Sequence, residues 1–525
     1  MRLYSAINSP EVTLHLAMSI PTKLSNLSAL LAESVPLNER LKPTAFNRTF
    51  AAQADMFAAV SARPTQDAKL VLFNNKLAAQ LSILDTQSDD AFWAGNADYG
   101  ANSPIALVYS GHQFGVWAGQ LGDGRAMTIG SLSDQFGVDQ EIQFKGAGPT
   151  PYSRRADGRA VLRSSIREYL CSEAFFALGI PSTRALALTT STTPVFRETA
   201  ETAAVVTRVA PSFLRFGSFE HWFYNDQPER LAQLTDFVVK QYFAQLASAA
   251  NPAGALLTEV VDRTAKLIAQ WQGVGFCHGV MNTDNMSILG LTMDYGPFGF
   301  LDAFDPAHVC NHTDQQGRYS YRNQPAIGQW NCFALGQALS GLIGGVEPTK
   351  AILSRYAPTF ESAIKSVWRS KIGITHFVDA PSDSDDHLID QMFAMMEKNR
   401  VDWTLFFRKL ADIRRLDHSA DANVRDLCLD RGLCDDWLTL YRQRLSKEVA
   451  SDRDRREAMN RVNPKFICRN HLAQVAIEAA QNGNFTELQR LVEVLAHPYA
   501  EQPENEAYAT LPPDWASTLE VSCSS

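Results

Sequence analysis

His278-Gly279-Val280-Met281-Asn282-Thr283-Asp284-Asn285-Met286-Ser287-Ile288-Leu289-Gly290-Leu291-Thr292-Met293-Asp294-Tyr295-Gly296 is the stretch that decides the fold. It opens on a turn crowded with side chains of metal-binding character: Asn282, Asp284 and Asn285. A short apolar run from Met286 to Met293 follows, and a carboxylate, Asp294, stands at its end before Tyr295-Gly296. Oxygen donors at both ends of one apolar segment suit a hard divalent cation.

A protein kinase has this layout: a catalytic loop closing on a metal-binding Asn, a hairpin, then an Asp-Phe-Gly whose Asp gives the second metal contact. Small-molecule kinases open the loop with His-Gly-Asp and reach their Asn five residues after that Asp. Here Val280 follows His278-Gly279, and Asn285 falls five residues on. The usual base position is therefore aliphatic, and Asp284 stands beside the metal Asn instead.

Outward from this stretch, composition sets the frame. A chain of 525 residues can bury a large core, and its net charge of −9 argues against a general nucleic-acid binder. No apolar run approaches the roughly 20 residues that span a bilayer. Eight cysteines without a CxxC pair make neither a disulfide framework nor a zinc ribbon, and a reducing, cytoplasmic setting is expected. The N-terminus lacks the pattern of a signal peptide.

Upstream, Tyr109-Ser110-Gly111-His112-Gln113-Phe114-Gly115 leads into Gly119-Gln120-Leu121-Gly122-Asp123-Gly124-Arg125-Ala126. Such glycines either form a tight β-turn or let backbone N–H groups reach phosphate; Arg125 favours phosphate. Glu141 to Lys145 alternates polar and apolar residues and reads as a strand ending in a lysine. Asp157 is the expected N-cap of a helix running to about Leu178, on which Arg159, Arg163 and Arg167 make one stripe, either solvated or facing phosphate. Glu168 lies on another face. A strand lysine followed by a helix glutamate is the kinase ion pair, although Lys145 and Glu168 alone would be available to many α/β proteins. Residues 203–209 read as a strand carrying Arg208, with Arg215 in the loop after it; both read as surface charges on their own.

Past residue 225 the pattern turns helical: 230–250, 256–273, 326–344, 349–369, 387–447, a charged solvated helix over 447–461, and a pair at 470–481 and 485–496. The expected organisation is an N-terminal extension (1–45), a β-rich lobe (46–225), a helical lobe (226–460) and a C-terminal helical pair with a tail (461–525). The fold class is α+β, protein-kinase-like and two-lobed.

From about Phe46 to the C-terminus the chain resembles the selenoprotein O family of pseudokinases. The motifs that carry this are the Gly119–Ala126 loop, Phe144-Lys145-Gly146-Ala147-Gly148-Pro149-Thr150-Pro151-Tyr152-Ser153-Arg154-Arg155, His278–Asn285, and the closing Val521-Ser522-Cys523-Ser524-Ser525. The resemblance implies protein AMPylation, AMP moving from ATP to a hydroxyl on another protein, with UTP and Mn²⁺ used by some members. It implies that Gly122, Gly124, Arg125, Lys145, Asp157, Gly158, Arg208, Arg215 and Asp294 contact the nucleotide and that Glu168 partners Lys145. By similarity Asp284 is the proton acceptor, and Asn285 and Asp294 hold Mg²⁺ or Mn²⁺. The family's nucleotide is flipped relative to kinases, which gives Arg125, Arg208 and Arg215 outer phosphates to bind. Nucleic-acid and membrane partners are not expected.

An ordinary γ-phosphate kinase and a non-catalytic nucleotide-binding scaffold remain as alternatives. Val280 counts against the first, and the Lys145, Glu168, Asn285 and Asp294 set against the second. His308-x-Cys310-x-His312 lacks a fourth ligand nearby. Trp222, Trp271 and Trp330 read as core or interface residues. The family places selenocysteine or cysteine at position 523, so a regulatory disulfide of Cys523 with Cys310, or with Cys277 as second choice, is a further expectation.

Overall fold

The computed structural model describes residues 35–84, 89–99, 103–375 and 384–521. Most of the 1–45 extension and the terminal residues that include Cys523 lie outside the described residues. The chain is mixed α+β, an antiparallel sheet followed by a helical C-terminal region, and divides into two compact units. The first comprises 35–108, 122–165 and 183–213; the second comprises 109–121, 166–182 and 214–521.

The first unit is built on β1 (Phe57–Ala59), β2 (Lys69–Phe73) and β3 (Ile105–Leu107). The chain passes through the hairpin strands β4 (Ser110–Gln113) and β5 (Val116–Gln120) of the second unit and returns as β6 (Ala126–Ser133), β7 (Asp139–Lys145), β8 (Ala160–Val161), β9 (Arg184–Phe196) and β10 (Ala200–Ala210). The sheet order is β1-β3-β6-β7-β10-β9-β2, antiparallel throughout, with β8 added beside β10. Thr and Val recur along β9 and β10, the β-branched chemistry a pleated surface favours. Ile142, Phe144, Leu186, Val205 and Val209 fill the core with Trp93 and Tyr99. The alternate residues of β7, Glu141 and Gln143, are buried as well, so this strand has two covered faces.

The expected helix from Asp157 starts later, at Leu162, and runs to Ala177. Gly158 takes a left-handed φ of 67°, and Ala160–Val161 stay extended to pair with Ala204 and Ala203 of β10. Arg159 therefore stands off the helix, and the three-arginine stripe does not form. Arg159 donates to the Arg63 and Pro64 carbonyls, Arg163 pairs with Glu201 at 2.9 Å, and Arg167 is buried, donating to the Phe298 carbonyl at 2.7 Å.

In the second unit Pro252–Gly273, Gln324–Ile343, Asn470–Gln481 and Thr486–Leu495 are helices close to their expected spans, whereas the helix expected over 230–250 runs Pro228–Tyr242 and gives way to a 3₁₀ turn at Ala244–Leu246. The 349–369 helix is two, Val346–Leu353 and Tyr356–Lys371, broken at Ser354–Arg355. Pro358 falls in the first turn of the second, where a missing N–H costs nothing. The charged helix Asp452–Val462 is not wholly solvated: Arg455 and Met459 are buried. Short strands β11 (Phe276–Cys277) and β12 (Gly299–Phe300) pair and bracket the central stretch. Trp222 and Trp271 are buried, and Trp330 is half-buried with its ring 5.3 Å from that of His112. No helix among the described residues is long and apolar enough to cross a membrane.

Candidate active site

In the second unit the central stretch is held by its own hydrogen bonds. His278 stacks on Trp271 at 5.3 Å, and its Nε2 lies 2.9 Å from the Met293 carbonyl oxygen, which ties the start of the stretch to the end of the apolar run. That run does not pair with itself as a hairpin. Ser287 bridges to Arg215, and Thr292 to Ser182. Thr283–Asn285 is a single 3₁₀ turn. The Asn285 amide nitrogen donates to the Val280 carbonyl at 3.0 Å, which leaves its oxygen as the acceptor facing elsewhere.

Asp284 is buried. Gln113 Nε2 donates to its Oδ2 at 3.2 Å, while Oδ1 is enclosed and has no hydrogen-bond partner. Gly111 matters here, because a Cβ on it would lie 3.0 Å from that oxygen. Burial pushes the Asp284 carboxyl up to about 6, against the opposing pull of Arg215 and the Gln113 hydrogen bond. Arg215 is fully buried, its guanidinium over the Tyr109 ring at 4.4 Å. Its Nη1 donates to the Asp284 carbonyl at 2.7 Å and to Asp294 Oδ2 at 2.8 Å. Asp294 holds a left-handed φ of 58°, a conformation uncommon outside glycine. Asp284, Asp294 and Arg215, distant in sequence, thus meet at one place. The Asn285 side-chain oxygen and the Asp294 carboxylate are oxygen donors of the kind a hard divalent cation takes, and Asp284 Oδ1 beside Asn285 stays without a partner.

His308, Cys310 and His312 make no such set. The Cys310 thiol donates to the Cys277 carbonyl at 3.4 Å, and His312 is exposed beside Glu520. Among the described residues no group of three His, Cys, Asp or Glu side chains is placed to hold a metal.

The first unit holds the other expected contacts. The loop after β5 is tied down by the turn at 150–153: Thr150 Oγ1 donates to the Asp123 carbonyl at 2.7 Å, and Ser153 Oγ to that of Gly124. Gly122, at φ 131°, lies against the Tyr152 ring so closely that a Cβ would sit 2.4 Å from it. The tight-turn part of the glycine run lies earlier, at Phe114-Gly115 between β4 and β5. Arg125 is half-buried, and its carbonyl accepts the Gly146 N–H at 2.7 Å. Lys145 ends β7, flanked by Ala126 and Val206. Asp157 is exposed and bound by Arg197 through both oxygens, at 2.8 and 2.9 Å. That hydrogen bonding holds its carboxyl below the usual range.

Arg208 corrects the surface-charge reading: it is 1% exposed, donates to Gln143 Oε1, and stacks over Phe213 at 5.1 Å. Arg215 corrects it in the same way. Glu168 is buried on the helix Leu162–Ala177, in the part that belongs to the second unit. Gln113 is the residue that reading the sequence missed. The signal was its place in Tyr109–Gly115, which reads as a phosphate loop but supplies a side chain to Asp284.

The sequence matches the family model described as protein adenylyltransferase SelO over residues 41–496. The chain belongs to that family. Among its relatives is a protein nucleotidyltransferase YdiU from Herminiimonas arsenicoxydans, 54% identical over 452 residues, covering 86% of this chain and 90% of the relative. The protein nucleotidyltransferase YdiU of Burkholderia pseudomallei K96243 is 57% identical over 439 residues, covering 81% and 83%. That of Burkholderia lata is 55% identical over 450 residues, covering 82% and 85%.

Proposed function

We infer that this chain is a protein nucleotidyltransferase that moves AMP from ATP to a Ser, Thr or Tyr hydroxyl of a protein substrate. Membership of the SelO family supports the activity. At the site, the observation that carries it is Asp284 Oδ1, a buried carboxylate oxygen with no partner, on a turn whose usual base position is Val280. In this reading Asp284 takes the acceptor's proton, the hydroxyl oxygen bonds to the α-phosphorus, and pyrophosphate leaves.

Asn285 and Asp294 are the residues that would hold Mg²⁺ or Mn²⁺. When bound, such a cation neutralises phosphate charge and stabilises the leaving group. Gly122, Gly124, Asp157 and Gly158 contact the nucleotide, with Lys145 and Glu168 in the roles of the kinase lysine and its glutamate. Arg125, Arg208 and Arg215 take the outer phosphates of a flipped triphosphate. Gln143 and Asp294 are the partners that a phosphate would share or replace on the last two. UTP with Mn²⁺ is the alternative donor. The fold in this reading is kinase-like and two-lobed, with 1–45 and 461–525 as extensions.

Incubation with a protein acceptor and ATP labelled separately at the α and γ positions tests this. Label entering protein from α alone is expected. Label from γ alone would make the chain a kinase, and label from neither would make it a nucleotide-binding scaffold.

A second reading concerns the tail. The Val521 carbonyl accepts the His312 N–H at 3.0 Å, which brings the described end of the chain to the segment carrying Cys310. This supports a redox-sensitive bond between Cys523 and Cys310. Non-reducing peptide mapping of oxidised protein should recover the 523–310 pair, and a free Cys523 would refute it.

A further inference from the structure

Three consecutive residues of the β4–β5 hairpin meet the turn that carries Asp284. The His112 N–H donates to Thr283 Oγ1 at 2.8 Å, Gln113 Nε2 to Asp284 Oδ2 at 3.2 Å, and the Phe114 N–H to Asn282 Oδ1 at 3.1 Å. The hairpin is anchored independently of Asp284. His112 Nδ1 lies 2.5 Å from Oε1 of the buried Glu220, and Ser110 Oγ lies 2.9 Å from His221 Nδ1. Trp117 packs on Tyr224 with ring centres 4.0 Å apart. The Phe114 N–H is shared with the Tyr319 hydroxyl at 2.9 Å, and that hydroxyl itself donates to Asn282.

Two of the three hairpin contacts are made by backbone, so they survive a change of side chain. Only Gln113 acts through its side chain, and that contact is to the carboxylate. Its amide neither gains nor loses a proton in the working range, so it cannot be the base. What it does is occupy one of two otherwise equivalent oxygens. A carboxylate free to rotate presents either oxygen in many orientations, whereas one oxygen pinned by an anchored donor fixes the direction of the other.

We infer that Gln113 is a positioning residue for the transfer step: by holding Asp284 Oδ2 it aims Oδ1 at the acceptor hydroxyl. The inference rests on Asp284 being the proton acceptor. The proton passes from the acceptor oxygen to Oδ1, that oxygen forms its bond to the α-phosphorus, and the bond to pyrophosphate breaks. Gln113 stays chemically unchanged throughout.

The test uses the full chain with a protein acceptor and α-labelled ATP, comparing Gln113→Ala, Gln113→Met, Gln113→Glu, Asp284→Ala and the Gln113→Ala/Asp284→Ala double variant. Losing a hydrogen bond to a charged group should lower kcat about tenfold in Gln113→Ala and in the length-preserving Gln113→Met. KM for ATP should stay within about twofold and the melting temperature within about 2 °C. Gln113→Glu, which sets a carboxylate against a carboxylate, should fall further. In the Asp284→Ala background, Gln113→Ala should cost nothing more, because its only route to the reaction is through Asp284. Wild-type kcat in both Gln113→Ala and Gln113→Met would overturn the inference, as would an equal loss in both backgrounds. Full-rate turnover by Asp284→Ala would overturn the proton-acceptor reading, and this one with it.

Discussion

Replacing Arg215 by Met, which keeps bulk and removes the charge, probes the point where fold and chemistry share one side chain. Arg215 is 2% exposed and bridges the Asp284 carbonyl and the Asp294 carboxylate at 2.7 and 2.8 Å. Removing one partner of a buried ion pair costs about 3–5 kcal/mol; Asp294 keeps 17% exposure, so about 3 kcal/mol applies. At about 2 °C per kcal/mol for a unit of this size, the melting temperature should fall by roughly 6 °C. Differential scanning fluorimetry reads that shift. Calorimetric titration of the same variant should show ATP weakened about tenfold or more, with AMP changed by less than about threefold, since the proposed contact is to the outer phosphates. An unchanged melting temperature would refute the structural half of this reasoning. Equal losses for ATP and AMP would refute the assignment to outer phosphates.

Asp294→Ala should abolish transfer and weaken metal-dependent nucleotide binding with the secondary structure retained, as circular dichroism would show; near-normal turnover in that folded protein removes Asp294 from the metal site. Asp284→Asn should lower kcat far more than it raises KM for ATP, and a variant defective only in ATP binding would make Asp284 a ligand instead. Glu141, inside the sheet, has its carboxyl pushed up to about 8 by burial, so folding keeps its proton on where the unfolded chain, at 4.5, has lost it. Its stabilising contribution is complete below pH 4.5 and fades as pH rises to about 8. Urea unfolding at pH 5 and pH 8 should therefore show wild type losing about 2–4 kcal/mol more than Glu141→Gln across that span, and parallel losses would show that Glu141 is not protonated in the fold.

How much of this was legible in the sequence depended on the kind of signal. Periodicity recovered helices such as Asn470–Gln481, because an amphipathic face repeats whatever covers it. The same signal identified β7 but could not show that Glu141 and Gln143 lie under a second covered face: alternation says which residues share a side, not what lies on it. Arg208 and Arg215 looked like surface charges for that reason, since the partners that hold them inside are Gln143 in one case and Asp294 in the other. The 278–294 stretch named Asp284, Asn285 and Asp294 from local order alone. It could not name Gln113, whose link to Asp284 is formed by folding across 171 positions. The arginine stripe failed on one dihedral, the left-handed Gly158, which delays the helix until Leu162.

The contact between Gly122 and the Tyr152 ring has a consequence for how this chain can drift. Position 122 has no freedom while an aromatic ring occupies 152, so the order of changes matters: 152 must shrink before 122 can grow, and the left-handed backbone still taxes whatever arrives. A combinatorial library that varies the loop alone should return glycine at 122 almost without exception. One that varies 122 and 152 together opens sequences that no series of single viable steps beginning at 122 would reach.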